Sequence, residues 1–139
     1  NFVHKDFEFV NLFFLENCES HLQCGIIDFQ SAFKGFIGWD LISLLENPRI
    51  NFTRDYNDKL IEYFYDNTSI IENFNTFLEQ YYVLSLARQT RLIGRWSKLF
   101  CTNNDNKYLN YLKITKSRTI ATLNNIKNYE LRSIYEKYL

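Results

Sequence analysis

The chain has 139 residues, enough for one ordinary domain and too few for two comfortable ones. Sixteen basic side chains balance sixteen acidic ones, so the cation surplus that drives broad nucleic-acid binding or polybasic membrane anchoring is missing. Hydrophobic residues at 46% and aromatics at 18% can build a core, which excludes a disordered chain, while four Gly and one Pro argue against a loop-rich or all-β fold.

The sequence opens on Asn1 and contains no Met. Its first residues already interleave polar and apolar side chains, and the expectation is that further sequence precedes them. Nothing reads as a signal peptide, and no apolar run reaches the roughly 18 to 20 residues that cross a bilayer. Two short apolar runs, 9–15 and 22–29, flank the polar stretch 16–21 and read as a β-hairpin, the only convincing strands. After Gly38 the pattern becomes helical. Residues 39–46 form a short helix that Asn47-Pro48 ends. Residues 55–65 carry a stripe of Leu60, Ile61, Phe64 and Tyr65, with Asp55 as the expected cap.

Residues 70–100 place apolar side chains at three-to-four spacing from Ile70 to Leu99. That is long for one helix, so a break is expected near 86–90. The run Asn103-Asn104-Asp105-Asn106 is a loop, and further helices cover roughly 107–125 and 129–138. The expected class is α+β, mainly α, in a single domain over 1–139. Cys18, Cys24 and Cys101 form no CxxC pair and no zinc spacing. They read as buried or semi-buried free thiols of a reducing, cytoplasmic compartment.

The residues with chemical content lie near the start. His4-Lys5-Asp6 is followed by Asn11, five residues after Asp6, then by the hairpin, then by Asp28-Phe29. Phosphoryl transfer from ATP uses groups in this order. A carboxylate beside the acceptor hydroxyl orients it and takes its proton, and Asp6 fits. Two oxygen ligands hold the metal ions that bridge the phosphates. Asn11 offers an amide oxygen and Asp28 a carboxylate, and the hairpin folds the second back beside the first. Each signal is weak alone; the combination of spacing, hairpin and the following Gly38-Trp39-Asp40 makes it specific.

The segment FVHKDFEFVNLFFL…GIIDFQSAFKGFIGWDLISLLENPRI resembles the aminoglycoside phosphotransferase-like kinases. These are the small-molecule branch of the protein-kinase-like fold, which includes choline and homoserine kinases. Within it the likeness is to bacterial predicted phosphotransferases and cell-wall amino-sugar kinases, whose "GxIDFQDAxxGxxxYDLxSLL" segment is nearly matched at 25–45. A weaker likeness to that branch's "QRxLKxLGxFxxL" helix covers Arg88 to Leu99, followed by Asp105-Asn106-Lys107 in place of Asp-Gly-Lys.

The resemblance implies the C-terminal lobe of the kinase-like fold, with ATP and Mg2+ as cofactors and a small-molecule acceptor, an amino sugar. It makes Asp6 the catalytic base, with His4 bracing its loop. Asn11 and Asp28 become metal and cofactor ligands, and Asp40 becomes a buried support that accepts hydrogen bonds from the loop backbone. Arg88 and Arg91, with Arg95, share a helix face that either meets an anionic acceptor or is simply solvated. No nucleic-acid or membrane partner is implied.

Departures from the family pattern are visible. Glu8 puts a second carboxylate near Asp6, Ala87 replaces a Gln, and Asn106 replaces a turn Gly. The sequence holds no GxGxxG loop and no VAIK-like lysine strand; Lys5 and Lys34 are the nearest basic residues, in the wrong context. The expectation is that the ATP-covering lobe comes from upstream sequence or a separate chain. Without it the chain should bind Mg-ATP weakly and transfer little phosphate. The alternative is an inactive remnant of such a kinase, acting at most as a binding module.

Overall fold

The computed structural model describes residues 1–50 and 52–138. The described chain is mainly helical with a few short strands, and it divides into two compact units, Asn1–Asn47 and Pro48–Leu139.

The first unit holds four strands and one α-helix. Strands β1 (Phe2–Val3) and β4 (Phe33–Lys34) pair antiparallel, and so do β2 (Leu12–Phe14) and β3 (Cys24–Ile26), with Leu12 opposite Ile26 and Phe14 opposite Cys24. Backbone bonds extend the second ladder at both ends, from Ile27 N to Asn11 O (3.1 Å) and from Leu15 N to Gln23 O (2.8 Å). The hairpin therefore runs over 11–15 and 23–27, inside the expected runs. The β1–β4 pair is a correction to the expectation of hairpin strands alone. Two-residue strands carry no alternation for a sequence pattern to reveal. Helix α1 (Trp39–Leu45) buries Ile42, Ser43 and Leu45, and with Val3 its two apolar side chains form this unit's core. Burying side chains of this size contributes roughly 1.5–3 kcal/mol each.

The second unit is helical: α2 (Arg54–Asp66), α3 (Phe74–Asn103), α4 (Leu109–Leu123) and α5 (Tyr129–Tyr138). Thr53 caps α2, its hydroxyl accepting from Tyr56 N at 3.3 Å. Asp55, the expected cap, instead lies in the first turn, where its charge meets the helix dipole favourably. Helix α3 starts late, because the Asn73 side chain caps it by accepting from Thr76 N at 3.0 Å. Ile70 and Ile71 fall outside it, and Ile71 is wholly exposed.

The expected break near 86–90 does not occur. No Pro or Gly stands there, and Gln89 Nε2 reaches back one turn to Ser85 Oγ at 2.9 Å. Asn104, in the left-handed conformation, ends the helix. The interior of this unit is aromatic and partly polar. Phe77 lies against Tyr65 and Phe64, and Trp96 stacks on Tyr108 at 5.7 Å. A polar seam joins α3 to α4, where Gln89 Nε2 also donates to Thr122 Oγ1 at 3.3 Å, beside buried Thr115 and Thr119. No described helix is long and apolar enough to cross a membrane.

Candidate active site

The loop that leaves β1 carries His4, Lys5 and Asp6. It is tied to α1 by a carboxylate. Asp40, in the first turn of α1, accepts from His4 N through Oδ2 (2.7 Å) and from Lys5 N through Oδ1 (2.9 Å). Both carboxylate oxygens are thus committed to consecutive backbone donors. Asp40 is half-buried rather than fully buried.

His4 is buried, and its Nε2 lies 2.9 Å from Ile27 O. A carbonyl only accepts, so Nε2 carries a proton and donates it, while Nδ1 is buried without a hydrogen-bond partner. The edge of the ring meets Phe7 at 6.0 Å between centroids. The imidazole thus joins the Asp6 loop to the end of the hairpin at Ile27, the residue before Asp28.

Asn11 ties the same two pieces from the other direction. Its Nδ2 donates to Asp6 O at 2.8 Å, while its backbone carbonyl accepts from Ile27 N at 3.1 Å. The structure therefore gathers the backbones of Asp6, Asn11 and Ile27-Asp28. Asp28 sits at φ 68° and Lys5 at φ 78°, a backbone region that non-glycine residues adopt at a cost of about 1–3 kcal/mol. Gln30 Nε2 donates to Asp28 Oδ1. Along the hairpin runs an open, mostly apolar recess of about 280 Å³, with Phe9, Leu12, Phe13 and Phe14 among its walls.

A Mg2+ ion takes hard oxygen ligands, which amide and carboxylate side chains supply. Asn11, whose Nδ2 donates to Asp6 O, and Asp28, whose Oδ1 accepts from Gln30, are the residues that would hold such an ion. Among the described residues no three His, Cys, Asp or Glu side chains gather into a metal cage. Mg2+ held by one or two protein oxygens and substrate phosphates needs none.

The remaining sequence candidates are distributed over both units. Arg88, Arg91 and Arg95 are on α3, in the second unit. Arg88 is 3% exposed, whereas Arg91 and Arg95 are exposed, so the three do not make one solvated face. Glu8 precedes a 3-10 turn at Phe9–Asn11, and its N–H donates to Asp6 O at 2.9 Å. All three cysteines are free; Cys18 is half-buried, within the expectation of buried or semi-buried thiols, whereas Cys24 and Cys101 are exposed and depart from it. Two residues to which the sequence assigns no role touch the loop: Trp39 Nε1 and Ser43 Oγ both reach Lys5 O.

Two proteins named N-acetylmuramate/N-acetylglucosamine kinase match the chain. The one from Neisseria meningitidis serogroup B is 26% identical over 129 residues, covering 84% of this chain and 37% of its own length. The one from Caulobacter vibrioides is 22% identical over 111 residues, covering 80% of this chain and 30% of its own. The chain is thus weakly similar to proteins named as amino-sugar kinases. It spans about a third of the length of the curated relatives it matches. No family model matches it.

Proposed function

We propose that this chain supplies the catalytic loop and metal-binding hairpin of an ATP-dependent phosphotransferase, in the C-terminal lobe of a kinase-like fold. The reaction moves the γ-phosphate of ATP to a hydroxyl of an amino sugar, with N-acetylglucosamine and N-acetylmuramate as first candidates. The observation that carries the reading is the Asn11 bridge, which holds Asp6 with its side chain and the residue before Asp28 with its backbone. The likeness to named amino-sugar kinases supports it independently.

In this reading the Asp6 carboxylate accepts a hydrogen bond from the acceptor hydroxyl and orients its oxygen toward the γ-phosphorus. As the new O–P bond forms and the bond to the ADP oxygen breaks, the hydroxyl proton passes to Asp6. Asn11 and Asp28 would hold Mg2+, which when bound neutralises charge on the phosphate oxygens. His4 and Asp40 keep the loop in register with the hairpin and α1. The aromatic recess of the hairpin offers a flat surface for a purine.

The test is 31P NMR of the protein at its natural full length, incubated with ATP, Mg2+ and each sugar in turn. Sugar-dependent formation of ADP and a sugar phosphate is expected. Inertness toward a panel of amino sugars, amino alcohols and aminoglycosides would make the chain a remnant of a kinase.

A further inference from the structure

Lys5 stands at φ 78° and is held from α1 on both sides of its Cα. Its N–H goes to Asp40 Oδ1. Its carbonyl accepts from Trp39 Nε1 and from Ser43 Oγ, each at 3.2 Å. Both lone pairs of that oxygen are then used. A peptide unit is planar, so fixing the Lys5 carbonyl fixes the Asp6 N–H and the entry of the chain into the Asp6 Cα. On the far side the Asp6 carbonyl accepts from Asn11 Nδ2 (2.8 Å) and from Glu8 N (2.9 Å). Both peptide planes that flank the Asp6 Cα are pinned, and the Cβ direction follows from them.

The donors themselves are packed in place. Ser43 is fully buried on α1, and the Trp39 ring packs edge-on against Phe33 with centroids 6.3 Å apart. Resting on the phosphotransfer reading, we infer that Trp39 and Ser43 are positioning residues for Asp6, acting through the Lys5–Asp6 peptide. Asp40 alone fixes the two planes before Lys5 O; the direction of the Asp6 carboxylate depends on the third.

Ser43→Ala deletes one donor and almost no volume, and Trp39→Phe deletes the other while keeping an aromatic ring beside Phe33. In the protein at its natural full length, each variant should lower kcat about tenfold, and the pair about a hundredfold, since a misplacement near 1 Å costs about that much. KM for ATP and for the sugar should stay within about twofold, because no substrate contact is removed. The 15N order parameter of the Asp6 amide should fall in the pair from about 0.85 toward 0.6. A kcat within about twofold of the parent in the double variant overturns the inference, as does activity that falls only in proportion to the folded fraction. If the double variant does not fold, the two single variants decide by the same criteria. A parent protein inert with every sugar overturns the phosphotransfer reading and with it the role given to Asp6. An unchanged Asp6 order parameter overturns the clamp itself, whatever the activity.

Discussion

Replacing Asp40 with Asn changes one atom and should unfasten the Asp6 loop. In the parent, two oxygens of a charged acceptor meet two consecutive N–H groups at 2.7 and 2.9 Å. Hydrogen bonds to charged groups contribute roughly 1.5–3 kcal/mol each, and a buried donor left facing another donor keeps its full desolvation cost. An Asn offers one neutral oxygen to one of the N–H groups and turns its NH2 against the other. The two bonds together give about 3–6 kcal/mol, and the half-buried setting of Asp40 favours the lower end, about 3 kcal/mol. The chain carries its own reporters, since one of its two tryptophans, Trp39, lies in the first unit and the other, Trp96, in the second. Their indole N–H resonances, followed through a urea titration, read the two units separately. With a slope of about 1–2 kcal/mol per molar urea, the Trp39 midpoint should drop by about 1.5–3 M. A shift under about 0.3 M would refute the argument that this carboxylate holds the loop.

Other substitutions probe the helical unit. Thr53→Ala should cost about 1 kcal/mol by removing the α2 cap, and Asp55→Ala only a few tenths, by urea midpoints at Trp96; the reverse order would restore Asp55 as the cap. Gln89→Ala should cost about 2–4 kcal/mol, since it opens a cavity and cuts the tie between α3 and α4, whereas Gln89→Met should cost under about 1.5 kcal/mol because the volume is kept and the buried, unpartnered Oε1 is removed. Equal losses would mean that the seam, not the volume, stabilises the contact. Amide exchange at 86–90 should be as slow as at 80–84, because α3 is continuous there; a local maximum in exchange rate would show a break after all.

The hairpin and most helices are legible in the sequence because their signals are local. An apolar run, a polar turn and a second apolar run specify β2 and β3, and the polar run at 103–106 marks where α3 gives way to α4. The helix starts depart from the apolar pattern for a physical reason. Ile70 and Ile71 extend the apolar pattern, yet the chain does not become helical until Asn73 offers a side-chain acceptor. Thr53 and Asp55 are both plausible caps by type, and only backbone geometry selects the first. In the site, the order of His4, Asp6, Asn11 and Asp28 could be read, because the hairpin fixes which residues return to which. The contacts of Trp39 and Ser43 with Lys5 could not, since they span 34 and 38 residues and leave no periodic trace. Lys5 and Asp28 adopt left-handed backbone without Gly or Asn to announce it.

In the proposed reaction Asp6 and Asp28 have different tasks, and their amide variants in the protein at its natural full length separate them. Asp6→Asn should lower kcat at least about a hundredfold while leaving Mg-ATP affinity within about threefold, because it removes the proton acceptor and no phosphate contact. Asp28→Asn should weaken Mg-ATP binding at least about tenfold, with the loss shrinking as Mg2+ is raised, because a charged oxygen is taken from a dication. Titration calorimetry with Mg-ATP, run beside the 31P assay, gives both numbers. If the two variants lose binding and turnover in the same proportion, or if neither changes either quantity, Asp6 is not the base and Asp28 is not the metal ligand.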